Sequence, residues 1–347
     1  MRRSADTERL TRSLLRLSIP FKRPFVTSNG VTTERELLLL RVEDDDGNAG
    51  YGEAAPFEPY DGVRLDDVLA ALRLRRRRGD TGGPPQAHAA AEMAQLDLDG
   101  RRDGRGLAEP GAEAIPVNLA VPAGPPDEIA ELAREGLAAG YSCFKLKVGT
   151  PDDAPRVHAV REAIGDWPAL RLDANGAWGV EQAVTAINLF ASYDLQLVEQ
   201  PCKTLEGLAS VRARVDVPIA ADESVATPAD VEAAADAGAC DIVNVKLAAS
   251  GGFLAAREAI QTARRKGIES FVSSTLDGPW GIGASLQLAA SEGISLACGL
   301  ATLDLFDAQI ARALPGPQSG LLAVPEGPGL GVNVADAALA EVTAERL

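Results

Sequence analysis

Short apolar segments alternate with amphipathic, helix-like segments along the chain from Ile115 onward. Apolar runs bounded by turn residues predict buried strands, and apolar residues at helical spacing between them predict helices such as Asp127–Ala139, Val180–Ser192 and Gly251–Lys266. The predicted strands are Pro116–Val121, Cys143–Val148, Leu170–Ala174, Leu195–Gln200, Ile219–Glu223, Asp241–Leu247, Glu269–Ser274 and Ile294–Gly299. Strands that alternate with helices close in parallel and with right-handed crossovers, so the pattern predicts an α/β fold, a (β/α)8 barrel of the TIM type, over residues 115–314.

The pattern before the barrel predicts strands joined by turns. Residues 13–56 have strand character, and the acidic turn Glu43–Asn48 is expected to close a hairpin because Gly and Asn tolerate positive φ. Helices are expected at Asp66–Leu74 and Ala87–Leu98. Residues 1–114 are therefore expected to form an α+β capping domain.

The tail of the chain, residues 315–347, is rich in Gly and Pro and contains one late helix-like segment, Ala335–Glu345. We expect this tail to pack back on the capping domain and complete it. Two segments of the capping domain, Lys22–Gly30 and Pro56–Gly62, are expected to cover the mouth of the barrel and to select the substrate.

Two lysines stand two positions apart in the apolar sequence Phe144–Gly149 of the second predicted barrel strand. Because residues i and i+2 of a strand point the same way, Lys145 and Lys147 are expected to project side by side. Burial and a like charge nearby both favour the neutral amine, so a lysine of this pair is expected to have a lowered pKa and to act as a general base. The alternative is an edge strand that carries two solvated lysines.

Acidic residues end three successive predicted strands. Asp173, Glu199 and Asp222 each follow an apolar run, and Asn175 and Glu223 follow closely. A lone acid at a strand end is often a helix N-cap, but three converging carboxylates repel one another unless a cation lies between them. Oxygen donors without His or Cys favour Mg²⁺, with Mn²⁺ as a substitute. The pattern predicts a metal site at Asp173, Glu199 and Asp222, supported by Asn175 and Glu223.

Lys246 ends the sixth predicted strand, so lysines are expected on opposite sides of the metal site. A substrate carboxylate bound there would have an amine on each face. That arrangement predicts removal of a proton α to the carboxylate, with the cation and one lysine stabilising the enediolate while another lysine takes the proton. Histidine is not expected to be the base, because His88 and His158 fall in helix-like segments and are expected at the surface.

The formal net charge of −16 disfavours nucleic acid and anionic membrane surfaces as partners. The basic run Arg73–Arg78 is expected to be a solvated helix C-terminus. The four cysteines lack paired metal-ligand spacing, and neither a membrane-spanning run nor a signal-peptide pattern is expected from the sequence. A cytoplasmic enzyme that acts on a small carboxylate is therefore expected, with its oligomeric state left open.

The motifs at these strand ends resemble those of the enolase superfamily, in its muconate-lactonizing-enzyme subgroup. The resemblance covers nearly the whole chain, and it implies a capped barrel that uses a lysine base beside Mg²⁺. The motifs that carry it are Lys145–Lys147, Asp173–Asn175, Val198–Pro201, Ala221–Ser224 and Asn244–Lys246.

Within the subgroup the chain resembles the o-succinylbenzoate synthases of actinobacterial type. Those enzymes dehydrate a cyclohexadiene carboxylate to the aromatic acid used in menaquinone synthesis. The segment Leu276–Trp280 is bulkier than expected for that family, which bears on specificity. The similar segments are Pro116–Asn118, Glu199–Cys202, Val272–Ser274 and Ala297–Thr302.

That likeness also implies a role for each lysine. Lys147 would be the base and would return the proton to the departing hydroxide, while Lys246 would hold the enediolate through its charge. Lys145 would keep the pKa of Lys147 low and touch the carboxylate. The substrate contacts that follow from the same motifs are Ser273, Ser274 and Gly299.

Other functions stay open at this point. N-succinylamino acid racemases and dipeptide epimerases share the lysine pair but use both lysines as acid and base, one on each face. Epimerases usually bind the substrate ammonium with an Asp-x-Asp after the eighth strand, whereas Asp304 and Asp307 are three positions apart and cannot share a strand face. A non-catalytic binding barrel is disfavoured, because buried like charges without a cation would cost stability.

Overall fold

The computed structural model describes residues 10–27, 30–74, 82–109 and 111–347. Its strands are β1 (Thr11–Thr27), β2 (Gly30–Glu43), β3 (Ala49–Ala54), β4 (Ala114–Pro116), β5 (Leu119–Val121), β6 (Cys143–Lys147), β7 (Ala169–Asp173), β8 (Leu195–Glu199), β9 (Ile219–Ala221), β10 (Ile242–Val245), β11 (Glu269–Val272), β12 (Leu321–Ala323) and β13 (Thr343–Arg346). Its helices are α1 (Glu58–Asp61), α2 (Leu65–Leu74), α3 (Pro85–Asp103), α4 (Pro126–Ala138), α5 (Asp153–Ile164), α6 (Val180–Phe190), α7 (Leu205–Arg212), α8 (Pro228–Asp236), α9 (Leu247–Ser250), α10 (Phe253–Arg265), α11 (Pro279–Ser291) and α12 (Asp336–Val342).

An antiparallel sheet in the order β13-β1-β2-β3 forms the frame of the capping domain. The run Leu37–Leu40 in β2 is buried along its whole length because both faces of the sheet are covered. Leu38 and Leu40 pack in a cluster with residues of α3, while Leu37 and Leu39 belong to the core that continues into the barrel. Successive strand residues point to opposite faces, so one leucine run joins the two cores.

Strand β3 lies directly against α3, and glycine makes this approach possible. A Cβ atom on Gly50 would come within 2.2 Å of the carbonyl oxygen of Ala94, and one on Gly52 within 1.9 Å of that of Ala90. No side chain fits at either position without moving the helix. The close contact fixes β3, and with it the segment that follows β3 toward the barrel.

Seven parallel strands, β5 to β11, form a curled sheet in which each strand pairs with its neighbours in chain order. Bridges at Val117–Cys298 and Ser273–Gly299 join the two ends of this sheet. The predicted TIM-type barrel with an N-terminal capping domain is confirmed. The predicted eighth strand, Ile294–Gly299, is wrong as a regular strand, because the closure uses only these single bridges.

Two other predicted elements differ from the structure. The predicted strand Pro116–Val121 is divided, because β4 pairs antiparallel with β12 of the tail and only β5 enters the barrel sheet. The predicted late helix ends earlier, at Val342, and the chain continues as β13, which pairs with β1. The tail completes the capping sheet through this pairing.

Some expectations reach beyond the described residues. The described part of the basic run ends with α2 at Leu74, and residues 75–78 lie outside it. In the expected covering segment Lys22–Gly30, residues 28 and 29 are likewise outside. Within the described residues, the helices are too short or too polar to cross a membrane.

Candidate active site

A cavity of about 90 Å³ lies at the carboxyl ends of the barrel strands, beneath the capping domain. Polar side chains in parallel strands converge at this edge, as in other barrels of this type. Six of the predicted catalytic, metal-binding and supporting residues line the cavity: Lys145, Lys147, Asp173, Asn175, Asp222 and Lys246. The capping domain contributes Phe25, Phe57 and Tyr60.

The lysines of β6 both face the acidic residues of the next two strands. Nζ of Lys145 lies 3.1 Å from a carboxylate oxygen of Glu199 and 3.1 Å from Oδ2 of Asp173. Nζ of Lys147 lies 2.6 Å from Oδ2 of Asp173 and donates to Oδ1 of Asn175 across 2.9 Å. The two-residue spacing therefore places both amines on one face of the strand, as predicted, and both are paired with carboxylates.

Lys246 approaches the carboxylates from the opposite side, after β10. Its ammonium group donates a hydrogen bond to Oδ1 of Asp222, and it lies 4.5 Å from the centre of the Tyr60 ring. The hydroxyl group of Tyr60 donates to the same Oδ1 across 2.9 Å. Asp222 is thus held by a lysine of the barrel and a tyrosine of the capping domain.

Asn175 and Glu223 form a second polar layer next to these ion pairs. Asn175 has φ = 46°, and its backbone N–H donates to Oδ1 of Asp173 across 3.1 Å. Its side-chain amide donates to Oε1 of Glu223 across 3.0 Å. Oε2 of Glu223 is buried and has no hydrogen-bond partner. An unpartnered buried carboxylate oxygen is costly, so this oxygen is suited to bind a cation or to accept from a donor.

The crowding of carboxylates has a clear electrostatic result. Burial, and then repulsion from Asp173, raises the pKa of Glu199 to about 7. Burial also raises the pKa of Asp222 and of Glu223. For Asp173 the effect of burial is outweighed by Lys147 and Lys145, which hold the pKa of this carboxyl well below its usual range. The negative charge is therefore concentrated on Asp173, which is paired with both lysines of β6.

The lowered pKa that was expected for one lysine of this pair is not found at Lys145. Burial alone would lower the pKa of Lys145, but the carboxylates of Glu199, Asp173 and Asp222 outweigh it and raise the pKa above its ordinary value. The prediction considered only burial and the like charge of Lys147. It left out the carboxylates of Asp173 and Glu199, which lie 3.1 Å from Nζ of Lys145 and outweigh the repulsion from Lys147.

In the part of the chain that the structure describes, no three His, Cys, Asp or Glu side chains stand as a ready-made set of metal ligands. The reason is visible in the contacts above, since lysine ammonium groups lie directly against the carboxylates. The chemistry of the donors nevertheless fits a hard divalent cation, because buried oxygens converge there without His or Cys and one oxygen of Glu223 lacks a partner. The groups that could hold such an ion are Asp173, Glu199 and Asp222, with Asn175 and Glu223 beside them.

The predicted substrate contacts, Ser273, Ser274 and Gly299, all line the cavity. The hydroxyl group of Ser273 donates a hydrogen bond to Oδ1 of Asn244 across 2.7 Å. The side-chain amide of Asn244 in turn donates to Glu199 across 2.9 Å. Ser273 therefore orients Asn244 and, through it, Glu199.

The other two predicted contacts differ from Ser273. The hydroxyl group of Ser274 is 2.9 Å from that of Thr302. Gly299 is packed so closely that a Cβ would lie 2.7 Å from Cβ of Ser273. The lack of a side chain at Gly299 therefore lets Ser273 pack against its backbone, and Ser274 shares its hydrogen bond with another wall residue.

Several residues at the cavity were missed by sequence reasoning. Tyr60 and Phe57 lie in the covering segment Pro56–Gly62, which was expected near the barrel mouth, but no pattern singles out these two side chains. Thr275 and Leu276 also line the cavity. Trp280, whose bulk was expected to bear on specificity, packs instead against the capping domain, where its ring centre lies 6.3 Å from that of Tyr51.

Other residues that the sequence analysis did not place at the active site lie away from the cavity in the structure as well. Asp304 and Asp307 are exposed and do not contribute to its wall. His158 is exposed on α5, while His88 is only half-buried on α3 and less exposed than expected. The four cysteines are buried and free. Neither the pair Asp304 and Asp307 nor either histidine therefore lines the cavity.

The chain matches the enolase C-terminal domain-like family over residues 128–338. It is 35% identical to the o-succinylbenzoate synthase of Thermobifida fusca (strain YX) over 94% of this chain and 90% of that protein. The structure of N-succinyl Arg/Lys racemase from Bacillus cereus ATCC 14579 superposes with a TM-score of 0.91 at 25% identity, covering 97% of this chain and 99% of the other.

A dipeptide epimerase from Enterococcus faecalis V583, solved in complex with Mg and the dipeptide L-Leu-L-Tyr, superposes with a TM-score of 0.84 at 28% identity. That match covers 94% of this chain and 99% of the other. These similarities span lyases, racemases and epimerases with one architecture. The chain belongs to the enolase superfamily, in its muconate-lactonizing-enzyme subgroup.

Proposed function

We propose that this protein is a Mg²⁺-dependent enzyme that removes a proton α to a carboxylate, and that its reaction is the syn dehydration that forms o-succinylbenzoate in menaquinone biosynthesis. The observation that carries the proposal is the position of Lys147 and Lys246, which line one cavity together with Asp173 and Asp222. The similarity to the Thermobifida fusca synthase, over nearly the full length of both chains, supports dehydration as the reaction.

The proposed metal ligands are Asp173, Glu199 and Asp222, with Asn175 and Glu223 in support. The buried, unpartnered oxygen of Glu223 and the all-oxygen donor set favour Mg²⁺, and Mn²⁺ is the expected substitute. When bound, the ion supplies positive charge beside the substrate carboxylate. The relative from Enterococcus faecalis that was solved with Mg supports this assignment.

Lys147 is the proposed base. It takes the α proton, and the electrons of the broken C–H bond form the enediolate. The C–O bond of the neighbouring carbon then breaks, and the departing hydroxide receives the proton from Lys147 and leaves as water. A single group can serve both steps because proton and hydroxide leave from the same face.

Lys246 is proposed to act through its charge. Its ammonium group is buried between the carboxylate of Asp222 and the ring of Tyr60, a position that suits a fixed positive charge facing the enediolate. Lys145, bound to Glu199 and Asp173, is proposed to contact the substrate carboxylate.

A second candidate is racemisation of N-succinylamino acids. The observation that favours it is the similarity to the N-succinyl Arg/Lys racemase over almost the whole of both structures. Dipeptide epimerisation is less well supported, because Asp304 and Asp307 do not line the cavity. A racemase would need Lys246 to move a proton on the face opposite Lys147.

The deciding experiment compares two classes of substrate with the purified enzyme and Mg²⁺. The first is the cyclohexadiene carboxylate precursor of o-succinylbenzoate, and the second consists of both enantiomers of several N-succinylamino acids. Formation of o-succinylbenzoate with a higher kcat/KM than any racemisation is the expected result. Efficient racemisation without turnover of the cyclohexadiene would replace the synthase with the racemase, and inactivity on both classes in the presence of Mg²⁺ would contradict the proposed function.

A further inference from the structure

Arg35 is a buried arginine in β2 of the capping domain, with 3% of its surface exposed. It makes five hydrogen bonds, and every acceptor is a backbone carbonyl oxygen. The acceptors are Glu36 at 3.0 Å, Ala55 at 2.9 Å, Pro56 at 2.6 Å, Thr275 at 3.2 Å and Leu276 at 3.2 Å. A planar guanidinium group can bind several acceptors in fixed directions, which an ammonium group cannot do.

These carbonyl groups belong to two segments that are far apart in sequence. The cap segment, residues 55–60, follows β3 and carries Phe57 and Tyr60. The barrel segment, residues 274–278, follows β11 and carries Thr275 and Leu276. All four of those side chains line the cavity, so Arg35 binds the backbones of two segments of its wall without lining the cavity itself.

Contacts around Arg35 join the same two segments. The hydroxyl group of Thr275 lies 3.1 Å from the carbonyl oxygen of Ala55. The guanidinium carbon of Arg35 lies 5.0 Å from the centre of the Phe57 ring, within the range of a cation–π contact. The cap segment is therefore held against the barrel segment both directly and through Arg35.

Leu276 shows that the barrel segment needs to be held. Its φ is 62°, in the left-handed region that a leucine rarely adopts. Such a conformation persists only where the surroundings enforce it. The carbonyl oxygens of Thr275 and Leu276, which belong to the peptide groups on either side of this position, both accept from Nε of Arg35, and these bonds fix the two peptide planes.

Two buried acidic residues near Arg35, Glu53 and Asp277, extend the contact. Glu53, from β3, accepts from the backbone N–H groups of Gly278 and Gly281 across 2.7 and 3.3 Å. Asp277 accepts from the backbone N–H of Thr275 across 3.1 Å, and its Oδ1 lies 2.9 Å from the hydroxyl oxygen of the same residue. The capping domain thus binds the carbonyl groups of the barrel segment through Arg35 and the backbone N–H of Gly278 through Glu53.

We propose that Arg35 is a positioning residue that fixes the separation between the cap segment and the barrel segment, and that it thereby sets which substrates fit between Phe57, Tyr60, Thr275 and Leu276. The choice of test substrates rests on the proposed function, but the structural part of the inference does not. The side chain of Arg35 bonds to the backbones of both segments at once.

The test uses Arg35→Met and Arg35→Lys in the full chain, with Arg41→Met as the matched control. Arg41 lies on the same strand, but its contacts are with Tyr51 and Glu43 inside the capping domain. Hydrogen–deuterium exchange, read by mass spectrometry, follows peptides that cover residues 55–61 and 274–281. Arg35→Met is expected to speed amide exchange about tenfold or more in both peptides, and Arg35→Lys by a smaller factor, while Arg41→Met changes neither.

The same variants are assayed on N-succinylamino acids of increasing side-chain size and on the cyclohexadiene carboxylate. Arg35→Met is expected to raise KM about tenfold for the substrate that fits best and to flatten the ranking among the others, with kcat changed much less. Thr275→Val removes the hydroxyl contacts with Ala55 and Asp277 but leaves the hydrogen bonds of Arg35 in place. It is therefore expected to change the exchange of the same peptides, and the ranking of the same substrates, by less than Arg35→Met does.

The outcomes separate this inference from the proposed function. A wild-type protein that turns over neither substrate class would contradict the function, while faster exchange in both peptides would still support the role of Arg35. Faster exchange in only one peptide, or unchanged exchange in both, would overturn the inference. If Arg35→Met fails to fold, the test uses Arg35→Lys and Thr275→Val instead. Unchanged exchange together with an unchanged substrate ranking in these two variants would then overturn the inference.

Discussion

The hydroxyl group of Tyr60 donates a 2.9 Å hydrogen bond to Oδ1 of Asp222, although the two residues are 162 positions apart in the sequence. The bond joins the capping domain to a proposed metal ligand. The same oxygen accepts from Lys246, whose ammonium group lies against the Tyr60 ring. Burial and the neighbouring carboxylate of Asp222 raise the pKa of Tyr60 well above its usual value, so this group remains a donor at neutral pH.

Replacing Tyr60 is expected to lower kcat/KM in two steps. Tyr60→Phe removes the hydrogen bond to a charged acceptor and should cost about tenfold. Tyr60→Ala also removes the aromatic face next to Lys246 and should cost more. Steady-state kinetics on the best substrate measures both, with Tyr51→Phe, which alters a tyrosine away from the cavity, as the control. Equal activity of Tyr60→Ala and wild type would contradict a role for Tyr60 at the site.

The two lysines that face the cavity from opposite sides are expected to differ in proton transfer. Lys147→Ala should abolish exchange of the substrate α proton with D₂O, a loss of at least 10² to 10⁴ in rate, roughly the contribution of a general base. Lys246→Arg keeps a positive charge, with different geometry, and should retain measurable exchange. NMR of the substrate in D₂O gives both rates.

Racemisation would give another pattern for the same variants. Lys246→Arg would then abolish exchange from one enantiomer of an N-succinylamino acid and leave exchange from the other. Exchange that survives in Lys147→Ala on the cyclohexadiene carboxylate would contradict the assignment of Lys147 as the base.

Binding of Mg²⁺ is expected to stabilise the fold, because an ion that binds only the native state adds its binding free energy. At an ion concentration of 100 times Kd the gain is about 2.7 kcal/mol. Thermal unfolding with and without Mg²⁺ should show a higher Tm for wild type, and EDTA should reverse the shift. The same shift should be lost in Asp173→Asn, Glu199→Gln and Asp222→Asn.

Asp304→Asn is the control for metal binding, because Asp304 is exposed and does not line the cavity. This variant should keep the Mg²⁺-dependent shift in Tm. A shift that persists in all three variants of the proposed ligands would place the ion elsewhere. Full activity in chelated buffer would contradict metal dependence altogether.

Ser273 and Ser274 are expected to differ although they are adjacent. Ser273→Ala leaves Asn244 without its donor and so loosens the orientation of Glu199, which should weaken Mg²⁺ affinity about tenfold or more. Ser274→Ala alters a wall residue bound to Thr302 and should change KM for the substrate while Mg²⁺ affinity stays the same. Titration with Mn²⁺, followed by electron paramagnetic resonance, measures the ion affinity directly. Equal affinity in the two variants would contradict the relay through Asn244.

Glu53 is expected to make stability depend on pH. Burial, and then the charge of Asp277, raises the pKa of Glu53 from 4.5 to about 8. Between these values the native state holds a proton that the unfolded state releases, so this group's contribution to the free energy of unfolding falls as pH rises, by at most about 1.4 kcal/mol per pH unit. Below about pH 4.5 and above about pH 8 the two states bind protons equally and the slope vanishes.

Urea denaturation at several pH values, compared between wild type and Glu53→Gln, measures this effect. The stability of wild type relative to Glu53→Gln should fall from pH 5 to pH 8. Glu34→Gln, which removes an exposed carboxylate from the same sheet, is the matched control. Parallel pH profiles for wild type and Glu53→Gln would contradict the raised pKa.

The order of strands and helices in the barrel was predictable from the sequence because it depends on local pattern. Each barrel strand is a short apolar run, and side chains two positions apart share a face, so Lys145 and Lys147 had to project together. Parallel strands bring their carboxyl ends to one edge, which placed Asp173, Asp222 and Lys246 at one cavity. The sequence was less informative at Ile294–Gly299, where closure depends on two bridges that have no repeating pattern.

Tertiary structure alone decided which residues of the capping domain reach the site. Tyr60 meets Asp222, and Arg35 meets Leu276 across 241 positions, because the cap sheet packs on the barrel through a particular set of buried contacts. No periodicity in the sequence encodes such a contact. The direction of the pKa shift of Lys145 was decided in the same way, since it depends on how closely carboxylates from other strands approach, and that distance is a property of the folded barrel.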